Sequence, residues 1–177
     1  FHDMGKHSMK TTDEKGMDHF KGHAIVSEEI ARSVLRRLKF DNDTVKKVTR
    51  LVCYHDYRIE ATPPNVSRAM NRIGVALFTY YLAVRMANVK APRPYTRRAK
   101  IENIVAMREI YQETLINDHC VTLRQLAVSG RDLMDLGMQP GKQMGDMLNE
   151  LLELVLDKPE MNEKEQLCNY VKEKQGI

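Results

Sequence analysis

With 177 residues, 42% of them apolar, the chain is long enough to bury a core as one large domain or two small ones. Nine glycines, six prolines and no tryptophan argue against a sandwich or barrel of short strands and for an all-α fold. No apolar run approaches the roughly 20 residues that span a bilayer, and no signal-peptide pattern opens the chain. Cys53, Cys120 and Cys168 show no CxxC spacing and cannot all pair, so reduced thiols in a cytoplasmic protein are expected. The formal charge of +4 hides a gradient: residues 1–60 hold 12 Lys+Arg against 10 Asp+Glu, 61–115 hold 9 against 3, and 116–177 hold 7 against 11. Seven of the nine cations in the middle third are arginines. Guanidinium forks match phosphate oxygens, although a solvated helix face carrying Arg97, Arg98, Lys100 and Arg108 has the same composition.

The chain opens on Phe1-His2-Asp3-Met4-Gly5-Lys6, which reads as the end of a buried helix and a turn. An upstream helix is therefore expected to be missing and the chain to be a fragment. Residues 7–18 are polar and aperiodic and predict a surface loop. From about Asp18 an amphipathic pattern (Ile30, Ala31, Val34, Leu35, Leu38) predicts a helix with His23 in its first turns. Asp41-Asn42-Asp43 supplies caps for the next, whose apolar face (Val45, Val48, Leu51, Val52) ends at His55. Pro63-Pro64-Asn65 breaks the chain, and helices are predicted over 66–73 and 75–90, the second placing Asn88 on its buried side. Ala91-Pro92-Arg93-Pro94 marks a domain boundary.

A charged helix over about 96–117 follows as a connector. Beyond it Leu123, Leu126 and Val128 predict one helix, and Pro140-Gly141-Lys142 opens another, running through Leu148 to Val155, with proline in its first helical position; Pro159 closes it. Met70, Met86, Met134, Met144 and Met147 fall at core positions.

Two constellations carry chemistry. His2, Asp3, His23 and His55 offer imidazole and carboxylate ligands for a divalent cation, which would polarise a phosphoryl oxygen while Lys6 holds the phosphate. The same residues could instead bond one another, with His2 on Asp3, His55 on Asp56 and His23 capping its helix. The second constellation is the pair of glycine-bounded turns at Gly130-Arg131-Asp132-Leu133 and Pro140-Gly141-Lys142, where exposed helix amides suit a phosphate.

In order and spacing, His2-Asp3-Met4-Gly5-Lys6, His19-Phe20-Lys21-Gly22-His23, Leu38 to Asp43, Leu51 to Asp56, Leu126 to Leu133 and the Gly-x-x-Pro-Gly-Lys-x-x-Gly stretch from Gly137 resemble bacterial tRNA nucleotidyltransferases, the CCA-adding enzymes, close kin of bacterial poly(A) polymerases. The front half is also similar to the HD superfamily of metal-dependent phosphohydrolases. That resemblance implies His2, Asp3, His23 and His55 as ligands, with Asn88 at the closing position where an aspartate is expected. The ion would be magnesium, manganese, nickel, zinc or iron.

The resemblance implies an HD-like helical domain over 1–91, a basic connector over 92–120 and an RNA-binding module over 121–177. Its expected partner is tRNA, held at acceptor stem and elbow through Arg68, Arg72, Arg93, Arg97, Arg98, Arg131 and Lys142, with the catalytic N-terminal head absent. The alternative is an HD-type phosphohydrolase acting on nucleotides or 2′,3′-cyclic phosphates, with Lys6 as its catalytic phosphate-holding residue. A third reading makes the helices a homodimer surface.

Overall fold

The protein is seen in a computed structural model that describes residues 1–90 and 97–176. Among these residues there are eight α-helices and one two-stranded sheet, so the fold is all-α in its architecture. The expected boundary at 91–94, and Arg93 with it, lie outside the described residues. No helix of the described residues is long and apolar enough to cross a membrane. The chain divides into two compact units, Phe1–Ile59 with Ala76–Ile104, and Glu60–Val75 with Val105–Ile177.

The first unit begins with a 3-10 turn, Met4–Lys6. The predicted loop over 7–18 contains a small hairpin, in which β1 (Thr11–Thr12) pairs antiparallel with β2 (Asp18–His19). Asp13 closes it by accepting from the backbone N–H groups of Lys15 and Met17. A two-residue ladder stitched by side chains has no hydrophobic period to betray it.

Helix α1 (His23–Arg37) therefore starts five residues later than the pattern from Asp18 suggests. Its N-cap is Gly22 at φ 81°, a left-handed residue that turns the chain out of the hairpin and makes His23 the first helical residue. Ser27, Ala31 and Leu35 form the buried stripe at four-residue steps. The helix ends in a Schellman-type reversal, with Lys39 left-handed at φ 59° and the Phe40 N–H donating to the Leu35 carbonyl.

Helix α2 (Asn42–Tyr54) is capped as its sequence predicts, the Asp41 carboxylate accepting from the Thr44 N–H at 2.9 Å. It buries Val45, Thr49 and Val52 and packs along α1. The expected long helix over 75–90 splits into a 3-10 turn, Val75–Leu77, and α4 (Phe78–Lys90), α3 being the helix that precedes them. Tyr81 is fully buried and its hydroxyl donates to the Tyr57 carbonyl at 2.7 Å, joining α4 to the segment after α2.

In the second unit, α3 (Pro63–Ile73) starts at the proline pair and not at Val66, because proline is suited to the first turn, where no N–H is needed. Val66, Ala69, Met70 and Ile73 form its buried face, which packs on α7 (Lys142–Asp157). Helix α5 (Arg97–Ile116), of which only the part from Val105 belongs to this unit, agrees with the predicted connector helix to within a residue at each end. The helix expected from Leu123 to Val128 is only a 3-10 turn, Leu123–Gln125. The Asn162 side chain holds this stretch, accepting from the Ala127 N–H and donating to the Gln125 carbonyl, which satisfies the backbone without a helix.

Helix α6 (Gly130–Asp135) opens with a capping box between Ser129 and Asp132. Gly141, not Pro140, is the N-cap of α7, so Pro140 lies outside the helix it was expected to begin. Met144 and Met147 are buried as predicted, whereas Met134 on α6 is 44% exposed and leaves the expected core. Helix α8 (Lys164–Gln175) closes the unit through Leu167 and Val171.

Candidate functional site

Four separate segments of the first unit converge on one hollow of about 950 Å³, whose lining includes His2, Asp3, Lys6, His23, His55 and Asn88. Gly5 lets the opening turn reach it. The Gly5 N–H donates to Ser27 Oγ at 2.9 Å, and a Cβ at this position would lie 2.4 Å from the His23 carbonyl oxygen and 2.9 Å from the Ser27 nitrogen. Only a residue without a side chain can press the His-Asp turn this closely onto the first turn of α1.

His23 and His55 are aimed by their own backbones. Each Nδ1 lies 2.7 Å from a carbonyl three residues earlier, that of Phe20 for His23 and that of Val52 for His55. A carbonyl can only accept, so each Nδ1 carries the hydrogen, and in the neutral rings Nε2 presents a bare lone pair. Burial lowers the His55 pKa, with His2 and His23 acting in the same direction, which keeps that ring neutral at pH 7.

The two Nε2 atoms are 3.2 Å apart, and Asp3 Oδ1 lies 3.5 Å from that of His55 and 3.7 Å from that of His23. With both rings neutral, three acceptor atoms thus face a common point. Ligand atoms held about 2.1 Å from a tetrahedral ion sit about 3.4 Å from one another, so this donor set fits a divalent cation.

The other Asp3 oxygen is engaged differently. Oδ2 accepts from Lys6 Nζ at 2.8 Å and lies 3.4 Å from His2 Nε2. Burial raises the Asp3 pKa, but the Lys6 hydrogen bond and the nearby His2 charge outweigh it and leave the carboxyl below its ordinary range. Lys6 also lies over the Phe20 ring at 5.8 Å. His2 packs edge-on to His55, ring centres 5.1 Å apart, beside the three-atom group. Asn88 lines the same hollow from α4. Asp56 does not pair with His55; its carboxylate lies 3.5 Å from the Arg85 guanidinium. Cys53 lines the hollow outside the three-atom group, and burial, assisted by Glu28, pushes its thiol up to about 11.

The expected RNA-contacting cations are divided between the units. In the first, Arg97 donates to the Lys90 carbonyl, and Arg98, 94% exposed, pairs with Glu102. In the second, Arg68 gives its guanidinium to Glu153 and Asp157 at 2.7 Å each, an internal fork between α3 and α7. Arg72, Arg131 and Lys142 are exposed. Gly130 abuts Met144, where an added Cβ would meet the sulfur at 3.2 Å, so the first turns of α6 and α7 lie side by side and bring Arg131 and Lys142 into one neighbourhood. The sequence reading overlooked Arg32, Arg36, Lys46 and Arg50, which line a second hollow between α1 and α2. Their signal was two cation pairs at four-residue spacing on either side of the Leu38–Asp43 turn.

Comparison with known proteins adds to this geometry. The family model for tRNA nucleotidyltransferase domain 2 matches residues 12–171. A CC-adding tRNA nucleotidyltransferase of Thermus thermophilus is 32% identical over 158 residues, which cover 86% of this chain and 34% of that protein. The chain thus spans about a third of the length of the curated relative it matches. No solved structure matches it.

Proposed function

Because the chain belongs to the tRNA nucleotidyltransferase family, we propose that these residues form the body and tail that hold tRNA during completion of its 3′ end, gripping acceptor stem and elbow, and that none of them performs nucleotidyl transfer. The relative's name supplies the substrate class, and the paired first turns of α6 and α7 supply the observation that carries the reading. There two exposed cations, Arg131 and Lys142, make no ion pair among the described residues. Such cations read backbone and shape, not base identity. Arg72 adds an exposed cation in the same unit, Arg98 would contribute separately from the first unit, and Arg68 serves the α3 and α7 contact first.

The test is tRNA binding followed by fluorescence anisotropy over a salt series. Binding should weaken linearly in log–log form as counterions are released. Absence of binding at low salt, or binding indifferent to salt, overturns the proposal.

The three converging acceptors favour a second reading, an HD-type phosphohydrolase for nucleotides or 2′,3′-cyclic phosphates. His23 and His55 would offer Nε2, Asp3 its Oδ1, and Asn88 a neutral carbonyl oxygen where a carboxylate would bring charge. A divalent cation bound there supplies Lewis acidity toward a phosphoryl oxygen. Lys6 is tied to Asp3 and would have to exchange that partner for a substrate phosphate. Turnover of a generic phosphodiester with manganese, nickel or cobalt, abolished by His2→Ala and by His23→Ala, supports this reading; no turnover across that panel removes it.

A further inference from the structure

The second hollow of the first unit, about 580 Å³, runs between α1 and α2 and is lined by Arg32 and Arg36 on one side and Lys46 and Arg50 on the other. Each pair is separated by four residues, so two cationic rows face each other along neighbouring helices, with a rise of about 6 Å between members of a row. Val45 and Thr49, both buried, contribute to its lining. One acid, Glu28, also lines it and is paired with Arg32. Arg36 and Lys46 are exposed and make no ion pair among the described residues. Like charges lining one hollow repel, and an anion between them removes that cost.

At the end of this hollow stands Tyr54, with the Arg50 guanidinium 5.7 Å above its ring and the Tyr57 ring edge-on at 5.8 Å. Tyr54 and Cys53 also line the hollow that holds His2, Asp3, His23 and His55, so the two hollows meet there. Facing guanidinium and ammonium groups along a groove, ending at an aromatic ring, are the parts from which single-strand sites are built: cations for consecutive phosphates and a ring on which a base stacks.

We propose that the groove between α1 and α2 binds the phosphate backbone of a single RNA strand, with Arg36 and Lys46 as its principal phosphate contacts and Tyr54 stacking on a base at its inner end. The inference rests on the RNA-binding reading above and adds to it a strand-binding site in the first unit, apart from Arg131 and Lys142. The polyphosphate tail of a free nucleotide presents the same chemistry, and the test separates the two sources.

The full chain is titrated against a fluorescein-labelled short oligoadenylate and against tRNA over a salt series. Three forms are compared: the unmodified protein, Arg36→Gln with Lys46→Gln, and Arg131→Gln with Lys142→Gln. Neither groove substitution leaves a carboxylate without its partner, and thermal melting by circular dichroism confirms that each variant folds. A single strand contributes about 0.7 to the log–log salt slope per phosphate contact, so the groove pair should lose about 1.4. At about 0.1 M salt that is about 25-fold in oligoadenylate affinity relative to the 1 M extrapolation.

Arg36→Lys with Lys46→Arg should restore the slope, and Tyr54→Leu should weaken oligoadenylate while leaving the salt slope unchanged. An unaltered slope in the groove pair, with tRNA still bound by the unmodified protein, overturns the groove and leaves the RNA reading standing. Failure of the unmodified protein to bind either RNA overturns both. Displacement of oligoadenylate by tripolyphosphate at equal phosphate concentration assigns the groove to free polyphosphates and overturns the strand.

Discussion

Replacing Gly5 with alanine is the smallest change that reaches the group of Asp3, His23 and His55 without touching any of their side chains. The new methyl carbon would stand 2.4 Å from the His23 carbonyl oxygen and 2.9 Å from the Ser27 nitrogen, both backbone atoms of α1. Ordinary C–H···O contacts lie at about 3.3–3.6 Å, so turn and helix must separate by roughly 1 Å. Overpacking of this kind costs about 1–3 kcal/mol, and loss of the Gly5 N–H bond to Ser27 Oγ adds about 1 kcal/mol. The expected total is about 2–4 kcal/mol, read as a fall in the urea midpoint without a change in slope.

The same retreat carries Asp3 away from His23 and His55, so cobalt or zinc affinity measured by calorimetry should fall as well. Ser27→Ala is the control: it removes the hydrogen bond but not the space, and should cost about 1 kcal/mol. If Gly5→Ala matched the unmodified protein in both midpoint and metal affinity, the close approach of turn and helix would be refuted.

Removing one of the three acceptors should act on metal affinity alone. His55→Ala is expected to weaken cobalt binding by more than the about 10–100-fold that outer partners cost, seen as loss of the visible cobalt bands. Tyr81→Phe deletes the hydroxyl bond to the Tyr57 carbonyl and should lower stability by about 1 kcal/mol in urea unfolding. Lys39→Gly relieves a left-handed residue at φ 59° and should raise stability by about 1 kcal/mol in the same assay. The Asp132 carboxyl is held below its ordinary value of 3.8, by Lys164 first and then by Ser129. A depressed folded pKa gives stability present above 3.8 and lost as pH falls through the lower folded value, so acid should narrow the difference between the unmodified protein and Asp132→Asn in a urea midpoint series.

What could be read from residues alone follows from range. Asp41, four-residue stripes such as Ser27, Ala31 and Leu35, and the prolines near 63 act within one or two turns, so the helices they shape were legible. The hairpin at 11–19 and the non-helical stretch around Leu126 are held by side chains, Asp13 in one case and Asn162 in the other, and such bonds leave no periodic trace. The candidate ligands were legible as residue types, because few other side chains bind a cation. That Asp3, His23 and His55 share one point was expected from their order, but the means, Gly5 pressing one turn onto α1 and α1 lying along α2, left no mark in the residue pattern. Arg68 shows the opposite failure: composition marks it as a phosphate reader, while tertiary packing spends its charge on Glu153 and Asp157.

The carbonyls of Phe20 and Val52, each three residues ahead of the ring it steadies, make the aim of His23 and His55 a property of two short backbone turns. The two Nε2 atoms therefore keep their facing through the backbone alone. Substitutions around the rings can thus alter the charge and shape of the hollow while the two imidazoles keep their facing.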